Sequence, residues 1–427
     1  VRVLFVTYPE KIMFLGMVPL AWALRNAGHE VRVASQPELT DVITTAGLTA
    51  VPVGRDHGLY RVLGIQPEKL AAARAGFPRP YDVVDVPKKR TWTYLNKGYE
   101  FAVTWWHKME NVPMITPLVA FARQWRPDLV LWEPTTFAGP IAAKATGAAH
   151  ARISWGLDVF GMARHHFLDV MNRQPPAKRA DPLANWLGGQ AERFGSGFSE
   201  DMITGQFTVE QIPPSLRLET PGVRYVDLRY VPYGGPAAVP DWLREPPDRP
   251  RVLLTLGLSA VERFDGYTVD LAEILGSLAE LDIEVVATIA DRVRDRLGAL
   301  PGNVRAVPFV PLPALLPTCS AVINHAGFGT LCTTALHSVP QLTLPVHFDE
   351  PRLAGALTGL GAGLTIPSCD ATGELVRDHL VRLLAEPEFG EGAARLRDEM
   401  LGMPSPNEFA EELVDLVAEH RTAAAGG

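Results

Sequence analysis

The sequence predicts an α/β chain built as two doubly wound domains. Two observations carry that expectation: short apolar runs alternate with helical patterns over residues 1–53, and the same alternation restarts after residue 250. A third separates the halves, because prolines accumulate over residues 212–250, as an interdomain connection does.

Taken in order, residues 3–7 read as a strand, 15–27 as a helix and 31–35 as a second strand. Gly28 stands where a left-handed cap ends a helix, and residues 50–53 form another short strand. The continuous apolar run at 128–132 suits a strand covered on both faces, and the small-residue helix 137–146 can pack closely on it. Residues 60–106 are less regular and aromatic-rich, with Phe77, Tyr81, Trp92, Tyr94, Tyr99, Phe101, Trp105 and Trp106. They suit an apolar ligand chamber or the helix packing of an insertion. The second series runs strand 252–256, helix 269–281, and strands 284–289, 321–323 and 341–344. Ligands of such sheets are expected at the carboxyl ends of the strands, in a cleft between the domains.

Bulk properties narrow the function. The chain has 427 residues and 47% hydrophobic composition, enough for two cores. Net charge is −8 with no Lys/Arg block, which argues against nucleic acid as a partner. Residues 1–6 are too short an apolar run for a signal peptide, and no stretch suits a membrane span, so a cytoplasmic protein is expected. Cys319, Cys332 and Cys369 lack metal-ligand spacing and read as small buried residues; no metal and no cofactor are expected. The tail beyond Arg421 reads as disordered.

The strongest local signal is Asn324-His325-Ala326-Gly327-Phe328-Gly329-Thr330, between an apolar strand and a helical pattern. Small residues at 326, 327 and 329 let the backbone approach an anion, and the helix start offers free amides and a positive dipole end. This is a diphosphate cradle with an imidazole at its edge. It lacks the lysine of a Walker loop, and no G-x-G-x-x-G follows either first strand, which disfavours NTPase and nicotinamide chemistry.

Residues 309–363 closely resemble the donor-binding signature of glycosyltransferase family one, whose two Rossmann-like domains form the GT-B fold. The match runs through Phe309-Val310-Pro311, Leu315-Leu316-Pro317, the 324–330 cradle, Val339-Pro340-Gln341, Asp349-Glu350 and Leu360-Gly361-Ala362-Gly363. Ala27-Gly28-His29-Glu30, Trp132-Glu133-Pro134, Pro213-Pro214-Ser215-Leu216-Arg217 and Gly257-Leu258-Ser259 look like the actinomycete deoxysugar transferases of macrolide and anthracycline biosynthesis. The expected boundaries are 1–220 for an acceptor-binding domain and 221–402 for a nucleotide-sugar domain. Residues 403–427 are expected as a helix returning to the first domain, plus the tail.

The resemblance implies a TDP-deoxysugar donor, a hydrophobic polyketide acceptor and inverting transfer. Phe309 and Val310 would meet the base; Ser259, His325, Gly327, Gly329 and Thr330 the diphosphate; Asp349 and Glu350 the sugar. Relatives usually carry Gln where Glu350 stands, so an extra carboxylate is available to pair with an aminosugar ammonium, unless it is an exposed surface group. Trp92, Trp105 and Trp106 are candidates for the acceptor side. Many relatives place a catalytic His where this chain has Met13, which cannot take a proton. Glu133 then stands as the base, or acts through another group; Asp158 is a second candidate and Glu10 a third. A phenolic acceptor needs a weaker base, and attack through carbon weaker still. Some members of the subgroup depend on a haem-free, cytochrome-like auxiliary protein, which the resemblance makes a candidate partner. The competing readings are a binding or regulatory protein that kept the cradle and lost its chemistry, and a nucleotide-sugar epimerase.

Overall fold

The computed structural model describes residues 1–58, 77–257 and 267–425. Two all-parallel sheets organise the chain. The first holds β1 (Arg2–Val6), β2 (Glu30–Ser35), β3 (Ala50–Pro52), β4 (Leu129–Trp132), β5 (Ala149–Ile153), β6 (Thr208–Glu210) and β7 (Tyr225–Asp227), in the order 3-2-1-4-5-6-7. The second holds β8 (Arg251–Thr255), β9 (Glu284–Thr288), β10 (Val304–Val307), β11 (Cys319–Asn324), β12 (Gln341–Thr343) and β13 (Gly363–Thr365), in the order 10-9-8-11-12-13.

In each sheet the strand order reverses between two central strands, β1 and β4 in the first and β8 and β11 in the second. Connections leaving such a pair turn to opposite faces and open a crevice at the carboxyl ends. Register places Val6 beside Trp132 and Thr255 beside Asn324. Residues 7–10 and 133–136 therefore leave the first sheet side by side. Residues 256–257 and 325–327 do the same in the second.

The strands are buried on both faces, which explains their unbroken apolar runs. On one face of the first sheet, Val3, Phe5, Leu129 and Leu131 pack with Phe14, Met17 and Leu20 of the helix Lys11–Asn26. The last helix, Pro406–Ala425, joins that core through Phe409, Leu413 and Leu416. Three sequence expectations are corrected. Strand β7 extends the first sheet past the boundary placed at residue 220, because Val226 pairs beside Val209. The tail after Arg421 continues the last helix to Ala425. Of the cysteines, Cys332 is buried, Cys319 is partly buried and Cys369 is exposed.

Candidate active site

The second-sheet crevice is shaped by one asparagine. Asn324 ends β11; its Nδ2 donates to Gln341 Oε1 at 2.8 Å, and its Oδ1 accepts from Ala326 N at 2.7 Å. This turn holds Ala326 at φ 66°, in the left-handed region. Gly327 then starts the helix Phe328–Ala335 with no side-chain cap, and the first intrahelical bond is Leu331 N to Gly327 O. The amides of Phe328, Gly329 and Thr330 precede it, so they face outward as anion donors.

His325 lies between two glycines: a Cβ at Gly257 or at Gly327 would run into its ring. Gly257 also has φ 78°, a conformation that favours glycine. Burial, with His347 adding a smaller push, lowers the His325 pKa to about 4, so the ring is neutral at physiological pH. Its Nδ1 is buried without a hydrogen-bond partner among the described residues. Tyr230, from the interdomain connection, donates to Gly329 O at 3.3 Å and sets its ring edge-on to Phe328. Phe309 stands 49% exposed just past β10, available for stacking, whereas Val310 is buried. Ser259 and residues 59–76 of the aromatic stretch lie outside the described residues.

Facing this cradle, the first-sheet crevice holds carboxylates. Glu133, directly after β4, is fully buried. It accepts from Thr135 N at 3.0 Å, from the hydroxyls of Thr135 and Thr136, and from Trp155 Nε1 at 3.1 Å. Burial raises its pKa while these donors oppose the rise. With both oxygens occupied, Glu133 presents no free lone pair, which corrects its expected part as direct base and leaves the route through another group. Met13 is buried at 7% exposure, and Glu10 precedes the first helix at 5%.

Asp158 is corrected more firmly. Its carboxylate forms a two-pronged pair with Arg152 at 2.9 and 2.7 Å, accepts from Tyr225 Oη at 2.6 Å and caps the helix Val159–Asn172 through Gly161 N. Burial pushes its pKa up, but the Arg152 guanidinium together with the Tyr225 hydroxyl and the Gly161 amide offsets this and lowers it. A saturated, paired carboxylate is a poor proton acceptor.

Across the cleft, residues 348–352 bridge the two domains. Phe348 stacks on Trp155 with centroids 5.4 Å apart and meets Phe77 edge-on at 5.0 Å. Asp349 Oδ2 accepts from Leu157 N at 2.9 Å, and Arg352 pairs with Asp85. Burial raises Asp349 to about 6. Glu350 is buried rather than exposed, and its Oε2 turns back to accept from Val346 N and His347 N at 3.0 and 2.8 Å. Burial raises it to about 8.

The three tryptophans separate. Trp106 joins the cleft aromatics, 6.0 Å from Phe160 and edge-on to Tyr81 at 5.7 Å. Trp92 packs on Phe167, two turns further along the helix that begins near Phe160, and Trp105 is 59% exposed. Neither makes a ring contact with Phe160 or Trp155 among the described residues. Trp155, just past β5 and bonded to Glu133, was not anticipated, because His150 and Arg152 interrupt the pattern of the strand that ends beside it.

Residues 22–257 match the N-terminal domain, and residues 272–416 the C-terminal domain, of the family described as erythromycin biosynthesis protein CIII-like. The 10-deoxymethynolide desosaminyltransferase of Streptomyces venezuelae is 48% identical over 98% of both chains. The TDP-daunosamine transferase DnrS of Streptomyces peucetius is 45% identical, over 100% of this chain and 99% of its own. Among solved structures, the glycosyltransferase VinC in complex with dTDP superposes with a TM-score of 0.88 at 40% identity, covering 98% of this chain and 100% of that one. Among the described residues no helix is long and apolar enough to cross a membrane. The chain belongs to the erythromycin biosynthesis protein CIII-like family and is a GT-B glycosyltransferase of the antibiotic deoxysugar class.

Proposed function

We propose that this glycosyltransferase moves a deoxysugar from TDP to a hydrophobic polyketide aglycone, with inversion at the anomeric carbon. One observation supports this above the others. The anion cradle at the β8/β11 crevice and the carboxylate-lined β1/β4 crevice face each other, and residues 348–352 join them. A donor held by its diphosphate on the amides of Phe328 to Thr330, with His325 at the edge, presents its sugar towards Asp349 and Trp155. Phe309 stacks on the pyrimidine, Val310 offers its backbone to the base, and Ser259, Gly329 and Thr330 complete the phosphate site. The named substrates of the relatives, macrolide and anthracycline aglycones among them, favour a polyketide acceptor, and the dTDP bound to VinC favours a thymidine donor.

Stabilising charge on the departing diphosphate is the cradle's contribution, since aligned amides need no reorganisation as the bond breaks. Trp106, Phe160 and Trp155 form the apolar wall against which an aglycone lies. Glu133 positions that wall through the Trp155 indole. A cytoplasmic enzyme aided by a haem-free, cytochrome-like auxiliary protein is part of this proposal. Phe101 and Trp105, four residues apart and both more than half exposed, supply an apolar surface on the first domain for such a partner.

The test incubates the full chain with a panel of TDP-deoxysugars and polyketide aglycones, with and without the auxiliary protein, and reads products by mass spectrometry. Aglycone heavier by one deoxysugar residue with equivalent TDP release supports the proposal. Donor binding without turnover in every combination refutes it in favour of a binding protein, and recovery of an isomerised TDP-sugar would identify an epimerase.

A further inference from the structure

The loop that follows β12 carries one side chain of the second domain into the aromatic cluster of the first. Phe348 lies nearly parallel to Trp155, with centroids 5.4 Å and planes 26° apart. It tilts against Phe160 at 6.0 Å and meets Phe77 edge-on at 5.0 Å. All three partners belong to the first domain. Phe348, Trp155 and Trp106 are each partly exposed, while Phe160 and Phe77 are buried. Apolar ring surface is thus left open where the domains meet, and the donor domain supplies part of it.

The backbone on both sides of that ring is pinned. Val346 N and His347 N donate to Glu350 Oε2 at 3.0 and 2.8 Å, and Glu350 N donates to His347 O at 3.0 Å, which closes a turn around Phe348. Leu157 N donates to Asp349 Oδ2 at 2.9 Å, and a Cβ at Gly156 would run into the same oxygen. Residues 155–157 and 348–349 therefore meet as two closely approaching loops, ring on ring beside amide on carboxylate. Phe348 is held at φ 46°, a conformation in which a bulky side chain is an outlier and Gly or Asn is the usual choice. Strain of this kind gathers at ligand clamps and active sites.

We propose that Phe348 is a specificity-determining residue of the aglycone site, contributed by the donor domain, and that it favours flat fused-ring aromatic aglycones over puckered macrolactones. This rests on the reading that the aglycone lies against the Trp106–Phe160–Trp155 wall. Phe348 continues that wall around a corner: Trp155 meets Phe160 at 6.3 Å with planes 60° apart, and Phe348 lies against both rings. A flat aromatic acceptor can lay a face or an edge on these rings and gain the offset-stacked or edge-on contacts that aromatic pairs prefer. A macrolactone has no π face and gains area burial alone. Asp349, which the same reading assigns to the donor sugar, is the next residue, so ring and carboxylate sit side by side on one pinned loop. An aglycone that fits against Phe348 is thereby placed beside the sugar it receives.

The test uses the full chain with a TDP-deoxysugar, a hydroxyanthraquinone aglycone and a macrolactone aglycone, and compares F348L and F348Y with the wild type. Leucine keeps apolar bulk without a ring, and tyrosine keeps the ring. In F348L the ratio of kcat/KM for the anthraquinone to that for the macrolactone should fall by about three- to tenfold, the factor an aromatic pair contributes beyond burial. F348Y should retain the wild-type ratio. A merely structural role would leave the ratio unmoved, because loss of folded enzyme lowers both rates alike. An unchanged or raised ratio in F348L overturns the proposal. Titration calorimetry with alizarin, a flat dihydroxyanthraquinone, gives an arm independent of turnover. F348L should weaken alizarin by a similar factor and leave TDP affinity unchanged. Alizarin that binds neither protein, or binds both equally, overturns the proposal even where transfer is observed. Alizarin affinity lost in F348L, with no transfer in any combination, supports the assignment and overturns the transfer reading instead.

Discussion

Asp349 and Leu157 are joined across the cleft: a carboxylate oxygen of the second domain accepts the backbone amide of the first at 2.9 Å. The residue expected to meet the donor sugar is thus already engaged with the acceptor-side domain. A Cβ at the preceding Gly156 would run into the same oxygen, so the approach depends on glycine there.

This contact gives a pH signature. Burial raises Asp349 from an ordinary 3.8 to about 6, so its folded pKa lies above the unfolded one. The stabilisation it contributes is complete below about pH 4 and is lost as pH rises to about 6. Asp349→Asn keeps an acceptor for Leu157 without titrating. Its melting temperature should therefore fall less than that of the wild type over this window, by calorimetry at several pH values.

Phe348 holds the bridge by packing. It has φ 46° and stacks on Trp155, and that strained backbone persists because the ring is clasped by the other domain. Aromatic pairs contribute roughly 0.5–1.5 kcal/mol beyond burial, so Phe348→Ala should destabilise by about 1–3 kcal/mol in urea unfolding. TDP affinity should stay nearly constant, because the cradle lies elsewhere.

At the cradle, His325→Ala should weaken TDP by about 1–3 kcal/mol in titration calorimetry, the range for a hydrogen bond to a charged group. The ring is neutral above about pH 4, so its contribution should not vary between about pH 6 and 8. Gly327→Ala drives a methyl group into the imidazole and should weaken TDP at least as much. Unchanged affinity in both variants would remove the diphosphate from this turn.

Chelation makes a further check on the leaving-group chemistry. With amides and an imidazole supplying the stabilisation, EDTA should leave the rate within about twofold, since no site of Mg²⁺-type carboxylates is invoked. A strict magnesium requirement would contradict the cradle as the electrophilic element.

What the sequence disclosed followed from locality. β1, β4, β8 and β11 are continuous apolar runs, and the 324–330 turn is contiguous, so strand, cradle and helix start can be read together. β5 was hidden because His150 and Arg152 interrupt its pattern; both are buried, and only the tertiary partners Asp201 and Asp158 make that tolerable. The same pairing turned Asp158 from a base candidate into a cap. β6, β7 and β13 are three-residue strands with too little pattern to register. That one oxygen of Glu350 is held by its own loop amides could not be read from the sequence, because the bonds depend on the turn at 346–350.

The opposed crevices are the centre of this account, and a crystal structure of the ternary complex with TDP and an aglycone tests them most directly. The diphosphate should lie within hydrogen-bond distance of His325 and the amides of Phe328 to Thr330, with the aglycone against the Trp106–Phe160–Trp155 wall. TDP seated at the β1/β4 crevice, or an aglycone bound away from that wall, would contradict it.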